Sequence, residues 1–129
     1  TYLNFSTSTG TSPEFNVESA FNMAGDRLYM ATAQPGAFHI FDIADPLNPV
    51  LIKTLPAASG AHHLAITADE RYAFVQNGLI NFLGMNDGSV TVIDLRTEQV
   101  VASVDTLKDA GLSTNDIILL PPWYRPLGG

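Results

Sequence analysis

The chain has no cysteine among its 129 residues, which excludes disulfides, thiolate zinc sites and cysteine nucleophiles. Cations are scarce as well: six Lys and Arg stand against thirteen Asp and Glu, a formal net charge of -7. The six do not cluster, so no basic patch is offered to a phosphate backbone or an anionic lipid surface, and nucleic-acid binding is not expected. No apolar run approaches the roughly 20 residues of a membrane helix, and no charged-then-apolar signal segment opens the chain, so membrane insertion is not expected either. The first residue is Thr1 rather than methionine, which suggests a processed product or a piece of a longer protein. No Ser-His-Asp order with a nucleophile elbow and no glycine-rich phosphate loop is found, so the sequence leaves open whether the protein is an enzyme.

What is present is enough apolar material for a core. Hydrophobic residues make up 46% and charged residues 15%, and a single domain of this size buries roughly two thirds of its unfolded surface. An internal repeat organises that material. "NMAGDRLYMA" (Asn22 to Ala31) matches "ITADERYAFV" (Ile66 to Val75), with Ala24 on Ala68 and Arg27 on Arg71, an offset of 44 (68 minus 24). "FHIFDI" (Phe38 to Ile43) matches "VTVIDL" (Val90 to Leu95), with Asp42 on Asp94 at an offset of 52 (94 minus 42). The second copy therefore carries extra residues between the two blocks, in "NGLINFLGMNDGS", an insertion at 77–89. Each copy reads as four short strands, rich in Val, Ile, Phe and Tyr and bounded by Gly, Pro, Asn and Asp. One helical turn is expected at "TLKDAG", Thr106 to Gly111, where the glycine is a stop signal.

Four antiparallel strands per period of about 40 to 50 residues is the arithmetic of a propeller blade. "HHLAITADERYAFVQN" followed by "GSVTVIDLRTEQVVASV" resembles the YVTN family of β-propeller repeats, within the wider group of nitrous oxide reductase-like propellers. The match departs at "TADER" and "MAGDR", which replace the proline-containing turn, and at "FVQN", which replaces the tyrosine-valine pair. The fold class expected is all-β, with two full four-stranded blades and partial flanking blades belonging to a seven-bladed propeller. The divisions are residues 1–14 as the end of a preceding blade, 15–57 and 60–107 as full blades, and 115–129 as a further inner strand and tail. On this reading the chain is a C-terminal fragment. A sandwich of two four-stranded sheets is the alternative.

Aligning the inner strands "ESAFNMA", "HHLAITA" and "NDIILLP" places His63 level with Ser19 and Asp116, and His62 level with Glu18 and Asn115. These six form a polar rim at the channel mouth. His62 and His63 are candidate metal ligands, the alternative being polar entrance residues hydrogen-bonded to loop carbonyls or water; Glu18, Ser19, Asn115 and Asp116 are candidate ligand-binding groups. Imidazole suits copper, zinc, nickel or iron, and a carboxylate can orient it. The resemblance implies copper or another transition metal, or otherwise no cofactor, with a periplasmic or secreted location, and as partners the remaining blades or partner chains, a small-molecule ligand or a redox protein. Three functions follow: a ligand-binding or scaffold domain, a copper-dependent oxidoreductase with histidine ligands in the channel, and a protein–protein interaction module. Because adjacent strand residues face opposite ways, at most one of the two histidines is expected to face the channel. His39 reads as a packed histidine on a third strand. Asp42 and Asp94 are expected to accept amides of the following turn. The insertion puts Leu79, Ile80, Phe82, Leu83 and Met85 in a loop on the histidines' side, a candidate lid or contact surface. Trp123 and Tyr124 read as an anchor for the last strand.

Overall fold

A computed structural model describes residues 16–79 and 82–120. The described residues fold into eight strands and one short helix: β1 (Asn16–Phe21), β2 (Arg27–Ala33), β3 (Gly36–Asp42), β4 (Val50–Pro56), β5 (Ala61–Ile66), β6 (Tyr72–Asn77), β7 (Val90–Asp94), β8 (Gln99–Val104) and α1 (Thr106–Asp109). They make two four-stranded antiparallel sheets, in the orders β1-β2-β3-β4 and β5-β6-β7-β8. Each sheet is a meander built on one copy of the repeat. The expected preceding blade at 1–14, Phe15, Ile80 and the Trp123–Tyr124 anchor lie outside the described residues. The expected inner strand from Asn115 has no ladder partner among the described residues, and 112–120 run without regular structure.

The turns fix the register of the repeat, and they correct the alignment by one residue. Asn22 N–H donates to Arg27 O and Thr67 N–H to Tyr72 O, and the positive-φ position is taken by Gly25 (φ 75°) in the first copy and Glu70 (φ 54°) in the second. Equivalent turn residues are thus 45 apart (70 minus 25), not 44, and Arg27 corresponds to Tyr72 rather than to Arg71. Both Arg27 and Tyr72 accordingly pair across the ladder with the repeated aspartate, Asp42 or Asp94. Matching arginine to arginine tracks residue identity, whereas strand register follows the turn that closes the hairpin.

The core lies between the sheets. Tyr29, Ala31, Phe38, Ile40 and Leu55 of the first sheet pack with Ala61, Ala73, Val75 and Ile93 of the second, flanked by Leu64, Ile66 and Leu95. Under the offset of 45, Tyr29 corresponds to Phe74 and Ala31 to Gln76, which lie on the face of β6 opposite to Ala73 and Val75. The sheets therefore stack front to back, using unlike faces. Inner strand β5 lies against β1 and β2, and outer strand β8 against β4. A two-fold sandwich would join like faces; front-to-back stacking in one rotational sense is how consecutive blades are arranged. The connection from β4 to β5 sets this up by crossing the β2–β3 hairpin, where Ala57 N–H donates to Gly36 O and Gly60 N–H to Ala33 O. A Cβ on Gly36 would meet the Ala58 carbonyl oxygen at 2.0 Å, so only glycine lets the crossing strand lie this close.

Candidate functional site

Both inner strands carry an extra residue at their entrance. In β1 the ladder steps from Asn16↔Thr32 to Glu18↔Ala31, and in β5 from Ala61↔Asn77 to Leu64↔Val75. In the second case His62 and His63 together oppose the single residue Gln76, which is the count that defines a β-bulge. The bulge corrects the expectation that the two histidines face opposite ways. Their ring centroids are 4.0 Å apart at 48°, so both occupy one side of the strand mouth.

The one-residue change in register decides which side chains meet. Glu18, not Ser19, is the counterpart of His63, and its carboxylate crosses from the first sheet to the second: His63 Nδ1 lies 2.7 Å from Glu18 Oε2. The same oxygen accepts Leu64 N–H at 3.0 Å. Asp116 approaches His63 Nδ1 from the segment after α1, with Oδ1 at 3.6 Å. Glu18, His63 and Asp116 are therefore brought together, as the sequence suggested for Asp116. Ser19 pairs with Met30 and is exposed, on the other side of β1 from Glu18, and Asn115 is exposed beside Asp116. Burial, reinforced by the neighbouring His63, pushes the His62 imidazole below the usual histidine value, with Glu18 acting the other way. His62 Nδ1 is buried without a hydrogen-bond partner.

Gln76 is the residue that sequence reading missed. It is 0% exposed. Its Nε2 donates towards Gly78 O at 2.7 Å, Thr114 O at 2.5 Å and Thr114 Oγ1 at 2.9 Å, and its Oε1 receives His63 N–H at 3.4 Å. The signal in the sequence was its place in "FVQN", a glutamine that continues an apolar strand.

The insertion closes the same end. Leu79 N–H donates to Met85 O, Asp87 N–H to Ser59 O, and the Ser59 hydroxyl to Gly84 O, so the loop is tied to the connection that leads into His62. Lys108 on α1 pairs with Asp87 at 2.8 Å. Burial raises the Asp87 carboxyl, but hydrogen bonds from Lys108 and Ser89 outweigh it and hold the group below the usual range. Leu79 is buried and Met85 half-buried, while Phe82 is 50% and Leu83 102% exposed.

The remaining singled-out residues are structural. His39 is buried and bridges three strands, with Nε2 3.1 Å from Thr32 Oγ1 and Nδ1 2.9 Å from Thr54 Oγ1. Asp42 Oδ1 accepts Ala44 N–H at 2.9 Å, and Asp94 Oδ1 accepts Arg96 and Thr97 N–H at 2.9 and 3.2 Å, as expected for residues that stop a strand. Each also faces an arginine, Arg27 at 3.0 Å and Arg71 at 3.7 Å. Among the described residues no group of three or more His, Asp or Glu side chains is arranged to hold a metal ion. The near oxygen of Glu18 is already taken by His63 and Leu64.

No protein-family model and no curated protein sequence matches the chain. Among solved structures, hydrazine synthase of Kuenenia stuttgartiensis, a propeller-containing protein, is similar, with a TM-score of 0.55 and 22% identity. The fold is β-propeller-like. The likeness covers 66% of this chain and 22% of that one, so the chain spans a minor part of its neighbour's length, and at this identity it speaks for the fold alone.

Proposed function

We propose that the chain is a portion of an extracytoplasmic β-propeller of the YVTN repeat type, whose inner-strand mouth binds a small ligand or a metal ion through His63. The observation that carries this reading is the 2.7 Å contact from Glu18 to His63 Nδ1. A carboxylate on Nδ1 fixes the ring and its tautomer and leaves Nε2 as the nitrogen for a ligand, the arrangement used to orient metal-binding imidazoles. His62, its imidazole pushed below the usual histidine value by burial, adds a second ring beside it. Further ligands would come from residues beyond the two described sheets. Copper does not fit the described residues by themselves, because two imidazoles without a third donor do not make a copper centre; no redox step is assigned to them.

The test is calorimetric titration of the chain with Zn²⁺, beside elemental analysis of the purified protein. Stoichiometric binding that is lost in His63→Ala and weakened in His62→Ala is expected. Binding unaffected by His63→Ala, or none at all, overturns the metal form of the reading. A second reading, a protein contact, is favoured by the exposed Phe82–Leu83 tip on a clamped loop. Under it, Phe82→Ser with Leu83→Ser abolishes partner binding and leaves metal titration unchanged.

A further inference from the structure

We infer that Gln76 is a positioning residue for this site, through which Asp116 is held against His63. The inference rests on the reading of the Glu18–His63 mouth as a binding site. Asp116 lies on a stretch without ladder partners among the described residues, and its carboxylate is mostly exposed; Oδ1 accepts the adjacent Ile117 N–H at 2.7 Å, a local bond that does not tie the segment to either sheet. Two residues earlier Thr114 is 7% exposed, and its carbonyl and hydroxyl both meet the Gln76 amide. The same glutamine lies directly opposite the His62–His63 bulge and receives the His63 amide. One buried side chain thus spans the bulged strand and the segment carrying the second carboxylate. Removing the glutamine amide would take from the carbonyl and hydroxyl of Thr114 the donor that meets them in a buried place, which gives the glutamine a reason to be there beyond filling space. Gly78 leaves room for this: a Cβ on it would come within 2.3 Å of Thr114 O. With Asp116 in place, His63 Nδ1 faces two carboxylates, one from each neighbouring segment.

A double-mutant cycle tests the role. The ring nitrogen signals of His63 are followed by NMR in the full chain for Asp116→Asn, Gln76→Met and the double variant, and Zn²⁺ affinity is measured on the same set. The expectation is that each single substitution perturbs the His63 Nδ1 signal in the same direction and weakens Zn²⁺ by about tenfold, and that the double variant is no worse than either. Additive effects, or a Gln76→Met variant with a native His63 signal, overturn the inference. Thr114→Val, which removes one acceptor and keeps the glutamine, serves if Gln76→Met does not fold, and should give the same non-additivity with Asp116→Asn at smaller amplitude. If the wild-type chain binds no Zn²⁺, the metal reading fails while the NMR cycle still decides whether Gln76 acts through Asp116.

Discussion

At the scale of single residues, the site is a set of charges placed by backbone geometry. Glu18 joins the sheets at their inner strands, accepting from both His63 and Leu64. Replacing it with glutamine keeps the shape and removes the charge-assisted character of those bonds; a loss of about 1 kcal/mol is expected in urea unfolding, together with a shift of the His63 tautomer seen by NMR. His62 gives the pH dependence. Its folded value is lowered, so the unfolded chain takes up the proton first; this contribution to stability is complete above the unfolded value of 6.5 and is lost as pH falls through the folded one. Unfolding curves at pH 7.5 and 5.5 should therefore differ less in His62→Gln than in the parent. Much of this site is legible: the repeat superposes the two strand entrances that carry Glu18 and His63, and the segment that carries Asp116 aligns with them although it forms no strand. Their pairing was not, since a slip of one residue exchanges Glu18 for Ser19. Gln76 was invisible, because what makes it important is burial at 0% exposure and contacts to a segment 38 residues on.

At the scale of elements, the four-strand periods and the short helix were readable from composition and turns, while the bulges were not. A bulge is a mismatch in counting between two strands, and neither strand shows it alone. The outer strands carry one each as well, Ile52 in β4 and Val101 in β8 falling between paired residues. The turn that enters β5 is equally constrained. Gly60 has φ +88°, and a Cβ there would lie 2.1 Å from Met85 O in the insertion. Gly60→Ala is thus expected to cost about 2 kcal/mol or more in chemical denaturation, with faster protease cleavage in the insertion. Gly25 offers the control: it also has positive φ but nothing lies within 4 Å of its Cβ position, so Gly25→Ala should cost only about 1 kcal/mol.

At the scale of the molecule, front-to-back stacking leaves an unlike face at each end of the pair. The free side of the second sheet carries Phe74 and Val90, both half-buried, and the edge strand β8 is exposed along its whole length, with Val100, Val101 and Val104 outward. A long exposed apolar edge invites pairing with another chain. Concentration-dependent association is expected in sedimentation velocity, and Val101→Lys with Val104→Lys should suppress it without altering the far-ultraviolet spectrum. Front-to-back stacking also bears on how such a protein changes length over generations. A duplicated stretch of sequence arrives carrying a face that its neighbour already fits, so a whole unit can be gained or dropped without inventing a new contact. Copying half a unit, by contrast, leaves a hairpin with no complement, and drift in size should proceed in whole steps.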